Sequence, residues 1–159
     1  MRLFALVLMC IWTVPASASE DLTGTLVPPY PDGMSSQMGA CIAADDDVCA
    51  YSIAALSGPD GAVVAIFAQK LVGFSDDGPV WEVLDTLDAP EQAEGQIWAF
   101  EECHLDGAID PAVIGLVTAR DMGGWLETKD TIWAVRLETD RSELVALDPA
   151  DIRCVLPGS

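Results

Sequence analysis

The sequence predicts a mostly β fold, an antiparallel meander that doubles as a sandwich or curls into a small barrel. An α+β variant results if residues 48–56 form one short helix. Three observations predict this class. Short apolar runs rich in Val, Ile and Trp recur along the chain, and clusters of Gly, Asp and Pro separate them. An even number of cysteines comes after an export leader, which points to two disulfides.

The leader comes first. Arg2 supplies a positive start, residues 3–14 are almost unbroken apolar chain, and Pro15 ends the run before Ala16-Ser17-Ala18. That small-x-small pattern predicts cleavage after Ala18, so residues 1–18 read as a signal peptide and the mature protein as periplasmic or secreted. The apolar run is too short to span a bilayer, and Cys10 comes after Met9 rather than the small residue that a lipidation site needs. Residues 19–40 read as an extended or flexible arm, because Pro28-Pro29-Tyr30-Pro31-Asp32-Gly33 and the Gly/Ser/Met/Gln stretch after it offer little periodic hydrophobicity. Residues 41–159 read as a single disulfide-stapled β-rich domain, a size that suits one core.

Within that domain the elements run in order. Residues 48–56 are a strand or a helix, ended by Gly58-Pro59-Asp60-Gly61. Residues 62–68 are apolar on both parities, as in a strand covered on both faces. Ser75-Asp76-Asp77-Gly78-Pro79 is a turn, and residues 80–87 place Trp81, Val83 and Leu87 on one parity. Residues 96–105 form a strand closed by Asp106-Gly107, and residues 112–119 are a further apolar run. Asp121-Met122-Gly123-Gly124 is a joint. Residues 131–138 alternate, placing Trp133, Val135 and Leu137 together, and Asp140-Arg141 turns into residues 143–147. Residues 152–156 are a last short strand that carries Cys154.

The cysteines of the mature chain are Cys41, Cys49, Cys103 and Cys154. Four cysteines allow three pairings, and sequence does not choose among them. The expectation is Cys41–Cys49 as a local clip and Cys103–Cys154 as a long-range staple. Neither pair has Cys-x-x-Cys spacing, which disfavours a redox dithiol.

Charge narrows the partners. Without Arg2, six Lys and Arg face 26 Asp and Glu, a formal charge of −20. Such a chain repels nucleic acid and anionic lipid, and attracts cationic proteins or peptides. The same acids also serve plain solubility. Asp45-Asp46-Asp47 lacks the alternate spacing and glycine of a calcium loop and reads as a solvated turn inside the Cys41–Cys49 clip.

Glu101-Glu102-Cys103-His104 holds the chain's only histidine. On a strand Cys103 and His104 point to opposite faces, so they form no nucleophile–base pair, and no second histidine replaces His104. A G-x-S-x-G elbow is absent. One histidine beside cysteines expected in disulfides makes no zinc site, and Met34, Met38 and Met122 sit in an arm and a joint rather than in a copper site. No catalytic residue, metal or cofactor is assigned. The doubled glutamate separates two apolar sets, which a β-bulge would reconcile by turning Trp98, Phe100, Cys103 and Leu105 inward and leaving Glu102 and His104 in water. Trp81, Trp98 and Trp133 read as core. Trp125, after Gly123-Gly124, is the tryptophan expected to be partly exposed, and with Glu102 and His104 it forms the candidate binding surface.

The run through Val80-Trp81-Glu82-Val83, Cys103-His104-Leu105-Asp106-Gly107, Asp110-Pro111-Ala112-Val113-Ile114-Gly115-Leu116-Val117, Trp133-Ala134-Val135 and Ile152-Arg153-Cys154 resembles a group of uncharacterised exported proteobacterial proteins. The resemblance covers roughly the C-terminal half and rests on cysteines, a tryptophan and turn residues. It implies export and the Cys103–Cys154 pairing, and implies no activity.

Together these features predict a small, acidic, exported binding module without catalysis, directed at a cationic protein or peptide, of which a basic hydrolase met by an inhibitor is one case. The alternative is an envelope structural or assembly protein whose acidity serves solubility alone.

Overall fold

Residues 62–68 show why this chain forms strands. Val63–Ser75 is a strand in which Ala65 and Phe67 face one way and Ile66 and Ala68 the other, all four fully buried. Only a strand with cover on both sides buries both parities. The structure is a computed structural model that describes residues 21–45, 47–100 and 102–156. The expected signal peptide lies outside the described residues, as do Asp46 and Glu101.

The strands are β1 (Leu26–Val27), β2 (Ser35–Ala44), β3 (Asp47–Ser57), β4 (Val63–Ser75), β5 (Gly78–Asp88), β6 (Gln96–Ala99), β7 (Cys103–Leu105), β8 (Ala108–Ile109), β9 (Val113–Asp121), β10 (Leu126–Glu138), β11 (Glu143–Ala146) and β12 (Ile152–Cys154). The helical content of the described residues is one 3-10 turn, Pro149–Asp151. Its first turn is capped by the Asp148 carboxylate, which accepts from the Ala150 N–H. The helix considered for residues 48–56 is therefore strand β3. Its residues Ile53 and Ala55 face one core, and Ala54 and Leu56 another.

Three antiparallel sheets result. The first runs β1-β5-β4-β3-β2, the second β11-β10-β9-β6, and the small third β12-β7-β8. The first two pack face to face as a sandwich around Ile42, Ile53 and Ile66 from one side and Trp98, Ile114, Leu116, Val135 and Leu137 from the other. Trp98 and Trp133 meet edge to face there, centroids 5.5 Å apart. The outer face of the second sheet is covered by the third, through Val113, Val117, Ala134, Cys103, Ile152 and Cys154. The outer face of the first is covered by the chain before β2, with Leu22 and Val27 on Ala54, Leu56, Phe67 and Val83. The stretch expected as an arm thus contributes β1, the first half of β2 and buried side chains, and no boundary falls at Cys41.

Both disulfides form, Cys41–Cys49 and Cys103–Cys154. The second joins directly opposed residues of β7 and β12. The turn residues Asp106 and Gly107 have φ of 54° and 82°, which lets β7 fold straight back into β8.

One expected face is split. Val83 pairs with Gln69 and Asp85 with Ala68, so Leu84 is an extra residue in β5. This bulge reverses the parity of the residues after it. Trp81 and Val83 face the N-terminal segment, whereas Leu87 faces the other sheet. Asp85 is carried to that side as well, where its Oδ2 accepts from the Leu144 N–H of β11 at 2.7 Å. A second polar tie holds the connection into β9: Arg136 Nε donates to Asp110 Oδ2 at 2.8 Å, and its guanidinium also pairs with Glu138. These bonds raise the Arg136 pKa further above its already high ordinary value.

Candidate functional site

The acidic motif around Cys103 does not lie on one ladder. β6 ends at Ala99 in the second sheet and β7 begins at Cys103 in the third. Trp98 and Phe100 point into the core between the large sheets, while Cys103 and Leu105 point into the core beneath the small one. The expected bulge involves Glu101, outside the described residues; the flanking residues show a change of sheet. The Glu102 N–H donates to the Phe100 carbonyl at 2.8 Å, and the Glu102 carbonyl accepts from the Val155 N–H at 2.9 Å. Half-buried Glu102 thus anchors the chain end through its backbone.

His104, also half-buried, stands opposite Arg153 on one side and Ile109 on the other, so the three side chains share a face of the small sheet. Trp125 is 44% exposed on the β9–β10 connection and lines a recess with Glu127, Thr128, Arg153 and Val155. Arg153 therefore links two of the three residues named from the sequence. Met34 packs beneath the first sheet and Met38 borders Trp98. Among the described residues no three His, Cys, Asp or Glu side chains converge on a position that could hold a metal ion.

A different surface carries the most exposed apolar side chains of the described chain, and sequence reasoning passes over it. Because β2 to β5 alternate in direction, the β2–β3 and β4–β5 turns lie at the same end of the first sheet. The pairing of β3 with β4 stops at Tyr51 with Lys70, yet each hairpin continues on its own, to Ala44 with Asp47 and to Ser75 with Gly78. The two hairpins form a fork. Val48 is 86% exposed on one tine, and Phe74 is 77% exposed on the other, with Val72 half exposed at a bulge. Exposed Asp45 and Asp47 stand on the first tine, and Asp76 and Asp77 on the second. The Cys41–Cys49 disulfide clips the first tine across its own turn. At the base Lys70 Nζ lies over the Tyr51 ring, 5.9 Å from its centroid. The signal available in the sequence is an aromatic, Phe74, set directly against the charged turn after it.

Elsewhere the acids are spread. Asp60, Asp88, Glu91, Glu94, Asp106, Asp121, Asp140 and Asp148 are exposed on turns, connections and strand ends around the molecule, and no described carboxylate residue is buried. No helix among the described residues is long and apolar enough to cross a membrane. Compared with family models, curated proteins and solved structures, the chain matches none of them.

Proposed function

We propose that the protein is an exported, non-catalytic binding module that receives a cationic, partly apolar peptide segment in the fork between its β2–β3 and β4–β5 hairpins. The observation that carries this is the company of Val48 and Phe74: large apolar side chains held in water, each beside a pair of aspartates. Exposed apolar side chains mark contact surfaces when they are grouped. Flanking carboxylates select a positive partner and speed its arrival. A basic hydrolase offering such a segment is one fitting partner. The resemblance to exported proteobacterial proteins, the two disulfides and the leader support the exported placement.

The test is titration of the protein, labelled at its N-terminus, with a short Arg- and Leu-containing amphipathic peptide at low and high salt. Binding should weaken as salt shortens the Debye length. Phe74→Ser should weaken it about tenfold, as loss of an aromatic anchor does. Asp76→Asn with Asp77→Asn should mainly slow association. Binding that ignores both changes would remove the fork from the reading.

A second reading has its own observation. The even spread of acids over the remaining turns is the pattern of a surface charged for solubility, and an envelope structural or assembly protein would need no more. The two readings part at Phe74, which only the binding reading requires to be exposed.

A further inference from the structure

The second site lies on the other side of the charge balance. Six lysines and arginines fall among the described residues, in a chain of net charge −19. Arg136 and Arg141 are held in ion pairs, and Lys70 sits over Tyr51. The other three, Arg120, Lys129 and Arg153, carry no ion pair among the described residues, and all three belong to β9, β10 and β12. Two of them, Lys129 and Arg153, line one cleft of about 240 Å³ between β10 and β12.

The cleft is constructed rather than incidental. β10 pairs regularly with β9 up to Thr128, then slips its register before Thr131, so Lys129 and Asp130 form a bulge. Bulges re-aim side chains out of a ladder's alternation. A side chain from β9 fixes this one: Thr118 Oγ1 accepts from the Asp130 N–H at 3.1 Å and lies 3.4 Å from the Asp130 carbonyl. Just beyond, Thr131 Oγ1 donates to the Ile152 carbonyl at 2.9 Å, and the Cys103–Cys154 disulfide holds β12 from behind. Thr128 and Arg153 also line the adjoining recess of about 260 Å³ that contains Trp125 and Glu127. The two hollows therefore adjoin, with Thr128 and Arg153 in the wall common to both, and together they make a groove.

We infer that this groove binds a carboxylate-bearing monosaccharide, with Lys129 and Arg153 taking the carboxylate and Trp125 the apolar face of the ring. The charge sets the class. A polyanion would be repelled by the rest of the molecule, so the ligand carries a single negative group that two cations can hold. Asp130 and Glu127 flank the groove and are acceptors only, which suits the hydroxyl donors of a sugar and disfavours a second anionic group. A half-exposed indole beside them supplies a flat apolar platform with little side-chain entropy to lose. This site does not depend on the fork, and either can fail alone.

The test uses galacturonate, galactose and benzoate as probes, read by backbone amide shifts and by tryptophan fluorescence. Galacturonate should move the amides of Thr128, Lys129 and Arg153 and quench a fluorescence component that Trp125→Phe removes. Arg153→Gln or Lys129→Gln should weaken it about tenfold or more, the loss expected for a charge-assisted bond. The melting temperature should hardly change, since both side chains are exposed. Galactose should bind far more weakly. Equal binding of benzoate would overturn the sugar assignment. Shifts scattered over the surface, or unchanged by Arg153→Gln, would overturn the site.

Discussion

Gly115 shows how closely β9 is approached by the small sheet. A Cβ placed there would lie 2.9 Å from the Cys154 sulfur and 3.3 Å from both Thr131 Cγ2 and the Trp133 carbonyl. A contact under 3.0 Å forces something to move, and the neighbours belong to parts that are tied down. Gly115→Ala should cost about 1–3 kcal/mol, the usual range for an overpacked core. Urea denaturation measures the loss. The cause is checked by repeating the substitution in Cys103→Ala/Cys154→Ala protein, where the nearest atom is gone: there Gly115→Ala should cost clearly less. Equal costs in the two backgrounds would show that strand geometry, not the sulfur, sets the requirement. Nothing in the sequence marks this glycine as different from the others, because the atom that crowds it arrives from 39 positions away.

At the scale of elements, strands are legible wherever burial repeats with a regular period, and illegible where an inserted residue resets it. The faces expected for residues 62–68 and 131–138 read correctly: Ile66 and Phe67 are buried on opposite faces, and Val135 and Leu137 share one core. The strands themselves run on to Ser75 and back to Leu126, and the register shifts within β10 are not foreseen. The faces of β5 do not read correctly, because an alternation rule assigns Leu87 to the face of Trp81 and Val83, and the bulge at Leu84 sends it to the other. The bulge has a consequence that the sequence does not display. It brings Asp85 to the seam between the large sheets, where the carboxylate bonds the backbone of β11. Asp85→Ala should leave the half-buried Leu144 N–H unpaired and destabilise by about 1–3 kcal/mol. Asp85→Asn, which keeps an acceptor oxygen, should lose less. Hydrogen exchange reads the same contact locally: the Leu144 amide should lose protection in Asp85→Ala before the amides of β9 do. The candidate surfaces obey a similar logic. Trp125 is visible through its flanking glycines, while the fork is hidden because it arises where one ladder stops and two hairpins go on.

For the whole molecule, the two disulfides do different work, as their expected roles of local clip and long-range staple suggest. Cys103–Cys154 closes a loop of 51 residues and clamps the small sheet over Val113, Val117 and Ala134. Cys41–Cys49 closes a loop of 8 and lies within one tine of the fork, where neighbouring Val48 is bare to solvent. The chain-entropy relation assigns about 4 kcal/mol to the first loop and about 2.5 kcal/mol to the second. Burial widens the gap, since Cys103 and Cys154 are both in the core and removal of either opens a space there. Cys103→Ala/Cys154→Ala should therefore lower the denaturation midpoint strongly and release the third sheet, seen as new exchange at the Ile152 and Arg153 amides. Cys41→Ala/Cys49→Ala should lower it less and leave the core amides protected. Its main effect should fall on the fork: with the first tine no longer clipped, the basic peptide should bind more weakly and with a larger entropic penalty. Weaker binding in the long-range variant alone would mean that the docking surface lies by the small sheet rather than at the fork. The pair of variants thus separates the staple that holds the layers together from the clip that shapes the proposed binding end.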